Sequence, residues 1–349
     1  MMTTSDDLNT TIGKSERRLV LHTFFSALFV TVISTAILLA FAGVGWPSSW
    51  FIPMPENCYE NYLTEPNCFC ERPRGGNAWF AQPANTASNV MFIVVGILVA
   101  LSCDLRLPRK YWYCDATNAL TTESFEEHHH TVGTPLSQSK GYGILYASVI
   151  CLMGPGSALL HASLTIPGRR VDQFCMYLVA SYIMLYSAIR KRRQFPFTTF
   201  LVIYLVSNLL LLSLTILSDN TSLKRLIFQL SLAIAFVIEL FWHKGILYKI
   251  PLCQCSRSNI TKDTANLWYL AGAVGCKALG FGIWIPSKSG GPLCFPESAF
   301  QGHAVWHVCT ALATGFVYLY ALSANGGNRN SIDHDTQHLE NDADMNELE

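Results

Sequence analysis

The chain has 349 residues, half of them apolar and only 14% charged. Lys plus Arg and Asp plus Glu balance at 24 each, so the formal net charge is zero and no basic excess is present to neutralise nucleic-acid phosphates. The charges cluster between long runs that are wholly or nearly free of them, and those runs define a polytopic membrane protein.

A bilayer core about 30 Å thick takes roughly 20 helical residues to cross. Helices are the expected form, because lipid offers no partner to an unpaired backbone group. Eight segments qualify or nearly do: Leu19–Trp46, Pro83–Cys103, Gly141–Ser163, Gln173–Ile189, Phe195–Ser218, Leu226–Trp242, Asn266–Ile285 and Phe300–Ser323. The first is too long for a cleavable signal and lacks a small-residue cleavage site, which makes it an uncleaved signal anchor. The predicted organisation is all-α. A tail over residues 1–18 and the anchor over 19–46 come first. A Cys-containing segment (47–82), a seven-span core (83–323) and a disordered acidic tail (324–349) follow. No internal repeat is convincing.

Loop charge sets the orientation. With the N-terminal tail in the cytosol, the cytosolic loops hold most of the Lys and Arg, including the run Arg190–Arg193. The opposite side holds Arg72, Arg74, Arg169, Arg170, Lys224, Arg225 and Lys288. Both termini are therefore expected in the cytosol. Cys58, Cys68, Cys70 and Cys294 fall in exoplasmic loops, an even number on the oxidising side. Cys253 and Cys255 lie in a cytosolic loop, as free thiols or palmitoylation sites. Of the sequons, Asn9 and Asn259 are cytosolic and Asn220 hugs the membrane, so none is a good glycosylation site.

Polar groups inside spans carry the functional information, because their burial must be compensated. The third span ends Gly154-Pro155-Gly156-Ser157-Ala158-Leu159-Leu160-His161, which puts Ser157 and His161 one turn apart on one face. Asp172 stands where the fourth span begins, and the last span opens His303-Ala304-Val305-Trp306-His307. Two imidazoles at i and i+4 can share a metal ion, although such a pair alone also fits hydrogen-bonded packing. All five groups fall at similar depth near the exoplasmic face. Three neutral imidazoles with an open fourth position form the catalytic pattern of zinc. Ser88 and Asn89 open a second polar cluster that is less deeply committed. Glu239 is read as snorkelling to the cytosolic surface, and Lys277, mid-span, needs a partner, with Glu239 as one candidate. His22 reads as interfacial and His128–His130 as a solvated loop.

Together, Asn85-Thr86-Ala87-Ser88-Asn89, Gly156-Ser157 with His161-Ala162-Ser163-Leu164, Asp172 with Met176, and His303 through His307 resemble the alkaline ceramidase family. That family belongs to a wider group of seven-span hydrolases with the adiponectin receptors and GPI-remodelling lipases. The resemblance covers roughly Cys68 to Leu322. It implies a seven-helix core, zinc held by His161, His303 and His307, and a reaction centre lined by Ser157 and Asp172. It also implies a disulfide between Cys70 and Cys294, leaving Cys58 and Cys68 as the other exoplasmic pair. The family's calcium segment is altered here. The stretch Cys68-Phe69-Cys70-Glu71, Pro73 in place of an Asn and Gln82 in place of a Glu leave only Glu71 charged, at most a weak calcium site.

The expected chemistry is zinc-assisted hydrolysis of the amide of ceramide or a related N-acyl lipid, with Asp172 moving protons and Ser157 donating to the oxyanion. The expected membrane is that of the endoplasmic reticulum or Golgi. Two other classes stay open. One is a non-ceramide lipid hydrolase or a zinc-containing receptor-like protein with little activity. The other is a transporter using Lys277 and Glu239, against which stand the missing repeat and a cluster near one face.

Overall fold

A computed structural model describes residues 25, 28, 29, 31–37, 39–40, 58, 60, 61, 63, 64, 68–74, 78–105, 135–190, 195–217, 220–243 and 266–324. After a helical stretch at 31–37, nine helices follow in chain order from Pro83 onward among these residues: α1 (Pro83–Ser88), α2 (Val90–Leu105), α3 (Pro135–Gln138), α4 (Lys140–Ser163), α5 (Ile166–Ile189), α6 (Phe197–Leu217), α7 (Thr221–His243), α8 (Leu267–Trp284) and α9 (Gly302–Ser323). The protein is an all-α polytopic bundle. Six stretches are long and apolar enough to cross a membrane: Pro83–Cys103, Lys140–Ser163, Phe197–Leu217, Ser222–Trp242, Leu267–Trp284 and Gly302–Ser323. The seventh long helix, α5, has 24 residues but carries Arg169, Arg170 and Asp172 in its first turns. The expected Gln173–Ile189 span therefore starts earlier, and Asp172 sits in the second helical turn rather than at the helix start. Pro167 at the N-terminus and the Thr165 side chain, which accepts from Gly168 N at 3.2 Å, place that start at Ile166. Of the predicted anchor Leu19–Trp46, residues 31–37 are helical and much of the rest lies outside the described residues. Asn9, His22, His128–His130, Cys253, Cys255, Asn259 and the tail beyond 324 also lie outside them.

Helix α4 is the axis of the bundle. Nearly all its residues are buried, and it packs against α2 on one side and α5 on the other. Helix α9 joins α8 to α2, while α6 and α7 lie outside α5. The outer faces of α6 and α7 expose Leu209, Leu210, Leu217, Leu226 and Leu230, as lipid contact requires. The interior is rich in tyrosine, and its hydroxyls tie helices together by donating to main-chain carbonyls. Tyr146 donates to Thr314 O (2.9 Å), Tyr182 to Tyr142 O (2.7 Å) and Tyr204 to Leu178 O (3.1 Å). Such bonds satisfy polar groups that the membrane interior would leave unpaired.

Glu239 does not snorkel, and it does not pair with Lys277. Its carboxylate meets Arg190 Nη2 at 2.6 Å and accepts from the Tyr320 hydroxyl at 3.1 Å, with all three residues buried. Arg190, expected in a cytosolic loop, instead caps α5 from inside the bundle, and its guanidinium also lies over the Tyr320 ring. Burying either charge alone is costly, so the two are buried together. This lock joins the ends of α5, α7 and α9.

Candidate metal centre

The turn between α4 and α5 sets the positions of three candidate groups. Leu164 closes α4 in the left-handed region (φ 48°), with its N–H donating to Leu160 O at 2.7 Å. A non-glycine residue in this conformation is uncommon, and here it lets α5 fold back immediately against α4. A side chain at Gly156 would run into Cys175 Sγ, so glycine permits the close approach of the two helices. Ser157 on α4 and Asp172 on α5 thereby line one cavity.

Helix α9 brings the other two histidines. The ligating nitrogens of His161, His303 and His307 all lie within 4.8 Å of one another. Their rings stand 4.9 Å (161–303), 5.0 Å (161–307) and 4.5 Å (303–307) apart. His161 and His307 are almost fully buried. Three imidazoles converge in an apolar bundle where water cannot readily serve them.

Two neighbours set which nitrogens are free, and sequence reasoning did not find either role. Gln82, fully buried, donates its Nε2 to Glu71 O at 3.0 Å. That turns its Oε1 toward His161 Nδ1, 2.9 Å away. An amide oxygen can only accept, so His161 carries its proton on Nδ1 and leaves Nε2 as a bare lone pair. Ser88 repeats the logic. Its hydroxyl donates to Asn85 O at 2.9 Å, so its 2.8 Å contact with His307 Nδ1 is accepted from the ring. His307 therefore also presents Nε2. His303 Nδ1 is buried with no partner among the described residues. The three histidines could hold a divalent cation, which takes lone pairs that have no proton donor, with the hydrogen bonds at the far nitrogens of His161 and His307 orienting the rings.

Gln82 and Ser88 stand at the two ends of α1, and Gln82 is seated on α4 by its own N–H, which donates to His161 O at 3.0 Å. Helix α1 stops at Ser88 and α2 starts at Val90, with Asn89 between them. The start of α1 is capped by Glu71, whose two carboxylate oxygens accept from Ala84 N (2.7 Å) and Asn85 N (2.8 Å). Burial pushes the Glu71 carboxyl above its ordinary value, against the pull of these N–H groups and of Arg74. Glu71 thus serves as a buried helix cap. The histidine trio is the one group of three or more potential ligand side chains among the described residues, and Glu71 is not in it.

A strap closes the site. Phe69 packs on His161 (4.6 Å between centroids) and on His303 (4.5 Å), and its backbone pairs with Lys288. Disulfides flank it on both sides, Cys58–Cys68 and Cys70–Cys294, the second joining residues 224 apart. Next to the trio lies a cavity of about 220 Å³ lined by Phe69, Ser157, Asp172, His303 and His307 among others. Its apolar walls include Phe92, Met153, Val179, Leu232 and Phe281. Lys277 also lines it, with its ammonium 3.3 Å from Thr310 Oγ1 and 4.5 Å from the centre of the Trp306 ring.

Comparison with known proteins gives one family. A ceramidase family profile matches residues 66–338, from the disulfide-pinned strap through the last helix. No curated protein matches the chain. The matched region contains every group of the candidate metal centre, and it spans well over half of the chain. The chain belongs to the ceramidase family.

Proposed function

We propose that the protein hydrolyses the amide bond of ceramide or a closely related N-acyl lipid, with a zinc ion held by His161, His303 and His307. The observation that carries this reading is the convergence of the three imidazoles at the edge of an apolar cavity that Ser157 and Asp172 also line. The apolar walls suit acyl chains, and the polar groups collect at one end, where a scissile amide would sit. When bound, zinc supplies Lewis acidity toward the amide carbonyl and toward water.

The chain's own residues supply the proton transfers. Asp172 Oδ accepts a proton from the attacking water and later delivers it to the leaving amine nitrogen. Ser157 has one proton to give. Its hydroxyl donates to the developing oxyanion. Gln82 and Ser88 keep His161 and His307 in the tautomer that offers Nε2. Phe69 covers the histidines and limits access of bulk water. The site is read as facing the exoplasmic side, in a membrane of the endoplasmic reticulum or Golgi.

Purified protein incubated with ceramide in detergent micelles tests this. Release of a free sphingoid base and a fatty acid in equal amounts is expected. Release of neither product from ceramide or from closely related N-acyl lipids, by protein that carries zinc, contradicts the reading.

A further inference from the structure

Lys277 stands in the middle of α8, inside a stretch long and apolar enough to cross a membrane. A cation at that position is costly and marks a buried partner or a ligand path. Its ammonium meets the Thr310 hydroxyl at 3.3 Å and the rings of Trp306 at 4.5 Å and Phe228 at 5.9 Å, none of them an anion. No carboxylate among the described residues pairs with it. Arg190, by contrast, is buried against Glu239. Trp306 and Thr310 flank His307 on α9, so these contacts hold the ammonium within about one helical turn of the candidate metal centre along that helix.

Lys277 also lines two cavities. The first is the one beside the histidines, and the second, of about 380 Å³, has walls that include Tyr146, Tyr182, Phe236, Val274, Val317 and Ala321. Ile183, Leu232, Lys277 and Thr314 line both, so the two adjoin at the lysine. The second cavity's acidic residue, Glu239, is already held by Arg190 and Tyr320. From His307 to Ala321 the joint lining follows α9 for about 20 Å, the reach of a long acyl chain. An apolar slot with one cation where it meets a reaction centre fits an amphiphile with one anionic end. Amide hydrolysis makes such a molecule: the acyl group is neutral before the reaction and leaves as a carboxylate. Resting on the hydrolase reading above, we infer that Lys277 binds the carboxylate of the released fatty acid, with its chain lying in the second cavity. The ammonium therefore favours the product over the uncharged acyl group of the substrate, and a long-chain fatty acid occupies this site in its own right.

Hexadecanoic acid and hexadecan-1-ol, which share a chain and differ in charge, provide the test. Each is titrated into full-length protein in uncharged micelles, with partition into empty micelles subtracted. The protein is first freed of zinc with a chelator, so that the metal cannot serve as the carboxylate's partner. The acid should bind about 10-fold tighter than the alcohol or more, a modest gain for an ion pair shielded from water. Lys277→Met should bring that ratio toward one, whereas Lys277→Arg, which keeps the charge, should preserve it. In the unsubstituted protein the acid, and not the alcohol, should also protect Lys277 from an apolar amine-acylating reagent, read by peptide mapping. Equal binding of acid and alcohol by the unsubstituted protein overturns the inference, as does equal protection of Lys277 by both or a ratio that survives in Lys277→Met. A preference for the acid that exists only in zinc-loaded protein overturns it as well, because the carboxylate would then sit on the metal. Turnover of an N-acyl lipid by the zinc-loaded protein is read in parallel. Absence of hydrolysis defeats the amidase reading, while the binding ratio still judges the carboxylate site.

Discussion

Ser88 Oγ lies 2.8 Å from His307 Nδ1, across 219 residues of sequence. The hydroxyl is already committed as a donor to Asn85 O, so this contact fixes the proton on Nδ1 and aims Nε2 at the other two histidines. Ser88→Ala removes that constraint without opening a cavity of consequence. Zinc affinity should fall about 10- to 100-fold, the usual loss when an outer-shell partner of a ligating histidine is deleted. Competition against a chelator of known affinity measures it, and unchanged affinity would free Ser88 from this role.

The three histidines should act as a set. Purified protein is expected to carry about one zinc per chain, and His303→Ala or His307→Ala should lose it, because two remaining imidazoles bind weakly. Elemental analysis of the three proteins decides the point. Full zinc in both variants would end the three-histidine centre.

Asp172→Asn preserves size and removes the proton acceptor. Turnover should be abolished with zinc still in place. Ser157→Ala should slow turnover by about 10²-fold or more, the usual cost of deleting an oxyanion donor. Wild-type rates in both variants would move the reaction centre elsewhere.

The Arg190–Glu239 pair bears on stability, not chemistry. Glu239→Ala removes the carboxylate that the buried Arg190 guanidinium meets and should cost about 3–5 kcal/mol. Replacing both partners together, Arg190→Met/Glu239→Met, should recover most of that loss. Thermal unfolding in a fixed detergent, single variants against the double, provides the comparison.

The strap is expected to stay closed in an oxidising compartment. Peptide mapping without reduction should recover Cys70 joined to Cys294, and Cys58 joined to Cys68. Cys70 and Cys294 recovered as free thiols would remove the covalent tie between Phe69 and the loop before α9.

Much of this site could be read from spacing. His303 and His307 announce themselves at i and i+4, and Ser157 and His161 do the same on α4, because helical periodicity is local information. The spans were legible for the same reason, through runs of apolar residues. What escaped was long-range. Gln82 reaches His161 through main-chain bonds of residues 81 and 82 to the end of α4, and Ser88 reaches His307 on α9 across 219 residues, so nothing in the local pattern marks either as a partner of a histidine. Glu239 read as a snorkelling carboxylate because its partner is 49 positions away, in what looked like a loop (239 − 190). Phe69 read as part of an altered calcium segment, and its place over His161 and His303 comes from two disulfides and a bridge to Lys288.

The central claim is that a zinc ion on His161, His303 and His307 is the seat of amide hydrolysis. The most direct test titrates zinc out of the purified protein with a chelator and back in, while sphingoid-base release from the N-acyl lipid it cleaves is followed on the same sample. Activity should fall and return in proportion to bound zinc, and a His307→Ala sample should stay inactive throughout. Hydrolysis that persists at full rate after zinc is gone would contradict the account.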